Sequence, residues 1–435
     1  MDYKDMYYSP FYSNAVDACN LEGFKPRIVD ADYLRTLGVS TEPSEESLRA
    51  LERGSRLFAD RLRKGILLPR TKYTVHDEET SSIEAEIHNY TGRCPTLTYE
   101  INPVRGCGVG CQYCLVSDGV HECELSVIGN YPLYVRRLLD EKNGPGSENG
   151  QHYYYFSPKT EAFQEATLLT GVAHGILREF IRHFDQNPDS HARLFIASKA
   201  GVRHLLYEDG GESVLDLFEK LKDRMQFNTS VSIMPGDFRN LLEPYAAPIE
   251  ERLAAVQLCR QRGILADSAL VQPILTPYLN EESIRSFYSS LHEAGIINYK
   301  PEFLTVCMEN LSMLGQYLGH FDKDMERRLY EDYLEPSNAG HRKQRGRTAP
   351  DKQKSKEYLR EMISFTDTIG MSVSICYWVR MQLGISQEMI PIINRNGFQC
   401  LGYQSGLFDN VRCSHILLPQ MVSRAAGGHY LFPPR

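Results

Sequence analysis

The sequence predicts an α/β protein: an incomplete, TIM-like parallel (β/α)6 barrel with an N-terminal helical extension and a C-terminal α/β extension. Three observations carry that expectation. Strand and helix patterns alternate from Thr96 to about Asn310. Two of the strands show a polar line along one face. A glycine-rich loop with three cysteines follows directly on the first strand.

Residues 1–95 read as a separate, partly helical N-terminal extension. Its clearest element runs from Ser44 to Arg63, where Leu48, Leu51, Phe58 and Leu62 share one face at three- and four-residue steps, with Ser55 in line. Thr41 or Ser44 can cap its start and Gly65 can end it. This helix is expected to cover the main domain. The barrel, 96–310, reads as the strands "TLTYEIN", "YYYFS", "RLFIAS", "QFNTSVSI", "ADSALVQPIL" and "EFLTVCM". Between them lie helical patterns such as "ATLLTGVAHGILREFIRHF", "SVLDLFEKLKDR", "PIEERLAAVQLCRQRG" and "NEESIRSFYSSLHEAG". Strands alternating with helices make βα units and a parallel sheet.

Residues 311–359 read as a helical segment and a basic polar loop or linker, because 335–358 are poor in apolar residues. His341, Arg342, Lys343, Arg345 and Arg347 offer donors for a phosphate there, a solvated loop being the plainer reading. Residues 360–435 read as an α/β extension. A helix near Ser355–Thr368 leads into it, and the apolar "MSVSICYWV", "ISQEMIPIINRNG" and "HILLPQMV" follow.

One strand says more than its neighbours. In "QFNTSVSI", Asn228, Ser230 and Ser232 fall on one face and Phe227, Thr229, Val231 and Ile233 on the other. A parallel strand covered on both faces should be apolar on both. In a barrel the outward face packs on helices, so the polar line points inward. "YYYFS" agrees, with Tyr153, Tyr155 and Ser157 together. A polar interior suggests a ligand, against the plainer alternative of buried, satisfied serines.

The composition bounds the class. The 435 residues are 42 % hydrophobic and 24 % charged, with a net charge of −8. That is the make-up of a soluble globular protein. The N-terminal stretch lacks the apolar segment of a secretory signal, and no stretch approaches the ~20 apolar residues that span a bilayer. A cytoplasmic protein with no membrane partner is expected. The acidic balance weighs against a nucleic-acid partner.

Three of the eleven cysteines, Cys107, Cys111 and Cys114, crowd into "GCGVGCQYCL". In a reducing compartment such a cluster points to a metal or to catalysis. Zinc usually takes four protein ligands. Cys94, Cys123 and His121 are available as a fourth, but none stands at a usual finger spacing. A [4Fe–4S] cluster held by only three thiolates keeps one iron open for chemistry. Gly106, Gly108 and Gly110 let the backbone fold tightly around such a centre. The loop stands at the carboxyl end of a strand, where α/β barrels build their sites.

"CGVGCQYC" after a first strand resembles the radical S-adenosylmethionine (SAM) superfamily. Further on, "MPGDFRNLLEPYAAPIEERLAAVQLCRQRGILADSALVQPILTPYLNEESI", "YYYFSPKTEAFQE" and "IASK" resemble its spore photoproduct lyase-like branch, over about Leu97 to Gly295. The resemblance implies that Cys107, Cys111 and Cys114 hold a [4Fe–4S] cluster whose fourth iron is chelated by SAM. It implies Tyr113 near the adenine and Ser157 at the SAM amino group. Lys199 falls at the SAM carboxylate and Ser232 near the ribose. Arg252 supports the carboxylate or pairs with Glu243, and Pro273 and Ile274 flank the adenine. It implies a one-electron donor such as flavodoxin or ferredoxin, SAM cleavage to a 5′-deoxyadenosyl radical, and hydrogen abstraction from a substrate.

The repair members of that branch carry a hydrogen-donating cysteine on the second strand. Here that strand is Tyr153–Ser157, and Tyr155 takes the place. The expected substrate is therefore a small polar or nucleoside-type compound, in natural-product or cofactor biosynthesis. Nucleic-acid lesion repair and a non-catalytic iron–sulfur or zinc regulator are the alternatives. Cys307, read as ending the sixth strand, is a candidate thiol for hydrogen transfer. Glu302 or Glu309 is a candidate base, and Gln272 and Asn310 are expected beside the substrate. Cys376, Cys400 and Cys413 match no auxiliary-cluster spacing and read as core cysteines.

Overall fold

The computed structural model describes residues 24–63, 72–83, 98–114, 124–144, 152–334, 347–375, 379 and 383. Its centre is a seven-stranded sheet in which all pairs run parallel. The strands are β1 (Thr98–Ile101), β2 (Tyr153–Phe156), β3 (Arg193–Ser198), β4 (Met225–Ile233), β5 (Ser268–Ile274), β6 (Asn298–Phe303) and β7 (Ser372–Val373). Each strand neighbours its successor in the chain, which is the order of an unclosed (β/α) barrel.

The alternation of side chains decides what the two faces do. Ile101, Tyr154, Phe156, Leu194, Ile196, Phe227, Val231, Ile233, Ala269, Val271, Tyr299 and Val373 join one hydrophobic core with the helices. Those helices include α1 (Val172–Gln186), α2 (Ile249–Gln261) and α3 (Lys352–Thr368). The residues between them in sequence face the other way: Glu100, Tyr153, Tyr155, Phe195, Gln226, Asn228, Ser230, Ser232, Ser268, Gln272, Asn298, Lys300 and Glu302. The polar line read from two strands thus extends over most of the sheet. Part of it satisfies itself: Asn298 donates to Ser268 Oγ at 2.8 Å and accepts from Ser372 at 2.8 Å and Ser374 at 3.1 Å. Gln226 donates to Asn228 at 2.8 Å.

Two expectations need correction. The sixth strand begins upstream of "EFLTVCM" and shares only Glu302 and Phe303 with it, running over Asn298–Phe303 and including Pro301. A proline in a strand interior removes a ladder donor and argues against a strand. Here β7 pairs only with Asn298 and Tyr299, so no β7 ladder bond reaches Pro301. Cys307 therefore does not end a strand of the central sheet. Val306–Cys307 pairs antiparallel with Arg347–Thr348, and Cys307 caps the helix Met308–Phe321. Glu309 and Asn310 lie in that helix, and Glu309 binds Arg53 at 2.8 Å. The second correction concerns 335–358. Its last part is the start of a helix, capped by Asp351 accepting from Lys354 N at 2.8 Å. The sequence reading also missed a small sheet, in which Lys72–His76 and Val104–Arg105 flank Glu124–Ile128. Cys376, Cys400 and Cys413, and residues 335–346 of the basic loop, lie outside the described residues.

The N-terminal helix, Glu45–Arg63, forms as read, with Ser44 Oγ accepting from Ser47 N at 3.2 Å. Leu51 and Phe58 enter a second core with Met308–Phe321 and Lys323–Leu334, which also holds Tyr113, Met234, Leu275 and Leu304. Ser55 donates to Leu51 O at 2.8 Å and accepts from Val29 N at 3.0 Å, so the buried hydroxyl is satisfied. The helices touch through Gly54, where a Cβ would stand 2.0 Å from Glu309 O.

That contact yields a prediction with a decisive sign. On an exposed helix Gly→Ala stabilises by roughly 1 kcal/mol through propensity. At Gly54 the added methyl must push two helices apart, and overpacking costs about 1–3 kcal/mol. Gly54→Ala should lower the midpoint of urea unfolding. A raised midpoint would mean the helices do not touch there.

Candidate functional site

The cysteine loop leaves β1 through Val104–Arg105 and turns at Gly106 and Gly110, with φ of +86° and +66°. Only glycine takes up those values without strain. Four ties hold the loop. Gly108 N donates to Gln164 Oε1 at 2.7 Å. Gln112 N donates to Leu242 O at 2.9 Å, and Tyr245 N donates to Val109 O at 3.3 Å. The Tyr113 hydroxyl donates to Glu243. Three of the four ties therefore land on the short segment 242–245.

The three thiols lie within electrostatic reach of one another. Burial pushes the Cys107 thiol well up, and the charges of Cys111 and Cys114 would add to the rise. Burial takes Cys111 up to about 12, although Lys199 draws it down. None of the three forms a disulfide among the described residues, and all are partly exposed. Among the described residues no three Cys, His, Asp or Glu side chains converge on a site for a single metal ion. Cys107 and Cys111, both held in the thiol form, call for a cationic centre before they can become thiolates.

Beside the loop lies a buried ion pair. Arg252, on α2, donates to Glu243, and each side chain is 1 % exposed. The same guanidinium donates to Ala247 O at 2.6 Å and Ser230 O at 2.9 Å. Of the two readings offered for Arg252, pairing with Glu243 is the one the geometry shows. Burial would raise the Glu243 carboxyl, but Arg252, Lys199 and the Tyr113 hydroxyl overcome it and bring the group down to about 2. Tyr113 is held well above the usual phenol range by burial and the nearby charges of Cys111 and Glu243.

Successive strand ends supply the remaining predicted residues. Ser157, just beyond β2, has φ +54°, a left-handed value uncommon for serine. Its N–H donates to Ile101 O at 2.8 Å, while its hydroxyl is buried with no partner among the described residues. Lys199, just beyond β3, donates from Nζ to Ser230 Oγ at 2.9 Å. Ser232 Oγ, on the inner face of β4, is also buried and unpartnered. Tyr155 lies on the inner face with its ring edge-on to Phe195 at 4.8 Å. Glu302 accepts from Lys300 Nζ at 2.8 Å, where the lysine is 5 % exposed and the carboxylate 35 %. Ile274 is corrected: its side chain is in the core between sheet and helices, whereas Leu275 shares the core of Tyr113. A register shift between Val271 and Ile274 turns the strand there, which no period-two pattern reveals.

Two site residues escaped the sequence reading although their stretch was singled out. Glu161 accepts from the Ser198 hydroxyl, from Lys199 N at 2.8 Å and from Phe163 N at 3.2 Å, and so fixes the end of β3. Gln164 holds Gly108, and its Nε2 is buried without a partner among the described residues. The signal was an acid and an amide in the loop after the second strand, with nothing local to say what they would meet.

No protein-family model matches the chain, and no curated protein matches it. Among solved structures it is similar to the crystal structure of Streptococcus suis SuiB bound to precursor peptide SuiA. The identity is 11 %, over 61 % of this chain and 46 % of that one, with a TM-score of 0.33. The chain thus spans less than half the length of that protein, and a likeness of this size carries no functional weight. Among the described residues no helix is long and apolar enough to cross a membrane.

The Glu243 pair predicts a pH dependence. Its folded pKa of about 2 lies below the unfolded value. The group's contribution is therefore full above the ordinary glutamate range, roughly pH 4.3, and is lost as pH falls through the folded value. Metal-free protein should lose stability over that window more steeply than its Glu243→Gln variant. Parallel urea-midpoint curves for the two would remove the pair from the acid response.

Proposed function

We propose that the chain is a radical SAM enzyme acting on a small polar or nucleoside-type substrate. The observation that carries the reading is a C-x3-C-x2-C loop at the carboxyl end of β1, with Ser157, Lys199 and Ser232 at or near the ends of the next strands. The residues present fit the two groups. Three neighbouring thiols suit a [4Fe–4S] cluster with one open iron. The unpartnered Ser157 and Ser232 hydroxyls and Gln164 Nε2 are polar atoms that buried sites rarely leave unsatisfied. Bound together, cluster and SAM supply reductive cleavage and hydrogen-atom abstraction, driven by a one-electron donor such as flavodoxin or ferredoxin.

The chain's own residues bind, orient and exclude water. Cys107, Cys111 and Cys114 hold the cluster. Lys199 meets the SAM carboxylate, Ser157 the amino group and Ser232 the ribose. Tyr113, with Pro273 and Leu275, bounds the adenine side in place of Ile274. The polar inner wall favours a substrate with many hydrogen-bonding groups, since apolar contact there would strand buried polar atoms. Tyr155 orients that substrate from the inner face of β2, and Glu302, with Lys300 beside it, is the carboxylate placed to take or hold a proton. The apolar core around Tyr113 keeps water from the loop.

Two outcomes test the reading. Anaerobically purified protein should carry about four irons per chain, and replacing Cys107, Cys111 and Cys114 together by alanine should abolish them. Iron that survives the triple change would place a cluster elsewhere. Lys199→Met keeps the aliphatic stem and removes one charge-assisted bond, worth roughly 1.5–3 kcal/mol. SAM affinity, measured by equilibrium dialysis, should fall about ten- to a hundredfold with the iron content intact. Unchanged affinity would make Lys199 an ordinary strand-end lysine.

A further inference from the structure

We propose that Glu243 is a positioning residue for the cysteine loop, gripping it through Tyr113, and that Arg252 ties this grip to the strand ends that carry Lys199. The proposal rests on the radical SAM reading and deepens it. Neither Glu243 nor Arg252 is placed against cluster or SAM; both act through other groups.

The geometry is a continuous route. One oxygen of Glu243 accepts from the Tyr113 hydroxyl and the other from Arg252. Both acceptors are committed, so the carboxylate cannot turn without breaking a bond. Arg252 spends its other two nitrogens on Ser230 O and Ala247 O. Those two residues then hold Lys199: Ser230 Oγ accepts its Nζ at 2.9 Å, and Ala247 N donates to its carbonyl at 3.3 Å. Tyr113, between the second and third cysteine, and Lys199, on another strand end, are therefore fixed by a single guanidinium.

Burial makes the route stiff. Glu243 and Arg252 are both almost fully removed from solvent, so no water is at hand to replace a lost partner. A hydrogen bond to a buried carboxylate is charge-assisted and stronger than a neutral one. The backbone ties at Leu242 and Tyr245 flank Glu243 on either side and, with Tyr113, brace the stretch Val109–Tyr113 of the loop. The segment 242–245 thus works as a clasp, with Glu243 as its side-chain tooth.

The test compares Tyr113→Phe, Glu243→Gln and the double variant, each reconstituted anaerobically with iron and sulfide. Release of iron to a ferrous chelator and SAM affinity by equilibrium dialysis are read on the same samples. Leu359→Ala serves as the control, because it loosens α3 in the core between sheet and helices, which does not include Tyr113. Tyr113→Phe should release iron about ten- to a hundredfold faster. The double variant should be no faster, because both changes cut one link. Glu243→Gln keeps an acceptor for the phenol and should fall between, with weaker SAM binding as well. Leu359→Ala should lower the unfolding midpoint and leave iron release unchanged.

Wild-type retention of iron in Tyr113→Phe overturns the proposal, as do effects that multiply in the double variant. Tyr113→Phe alone decides the matter if Glu243→Gln fails to fold, since it removes only a hydroxyl. Failure of the wild type to take up iron at all overturns the radical SAM reading, and this proposal with it.

Discussion

The arrangement around the cysteine loop depends on one interaction, the buried pair of Arg252 and Glu243. Each ion costs several kcal/mol to remove from water. The pair persists because each of its nitrogens and oxygens has a partner: two backbone carbonyls, a phenol and the partner charge. Replacing it with apolar groups of the same shape is often neutral or stabilising in other folds. What such a core would lack is a rigid connection between a loop and two strand ends. The ion pair is read here as a device for position, with stability secondary.

Around that pair the sheet separates two kinds of interior. On its outer face, apolar side chains from every strand meet the helices in a single core. On its inner face run amides, hydroxyls and two carboxylate–ammonium pairs, Glu100 with Lys159 and Glu302 with Lys300. Part of the inner face closes on itself through Asn298, while among the described residues the Ser157 and Ser232 hydroxyls and Gln164 Nε2 are buried without a partner. These three atoms, near the carboxyl ends of the strands, are the reason a polar ligand is proposed at that end.

Much of the barrel was legible because parallel strands and amphipathic helices write their burial into local period. The strands "YYYFS", "RLFIAS" and "QFNTSVSI" lie where the patterns put them, and the inward polar line on β4 is present. Legibility failed where burial and pairing overrule local chemistry. Pro301 and Lys300 look like loop residues, yet the sheet tolerates the proline beyond the residues that pair with β7 and hides the lysine against Glu302. Two-residue strands such as Val306–Cys307 carry no period at all.

By itself the sequence determined the fold class, the inward polar face and the three cysteines, because each depends on residues adjacent or at fixed steps along the chain. The tertiary structure alone decided which side chains meet. Glu161 reaching back to Ser198 and Lys199, Gln164 holding Gly108, and Tyr113 joined through Glu243 to Arg252 are contacts between residues 9 to 130 positions apart. No local pattern encodes such a meeting, since it is the packing of separate elements that removes the competing water and makes one partner available.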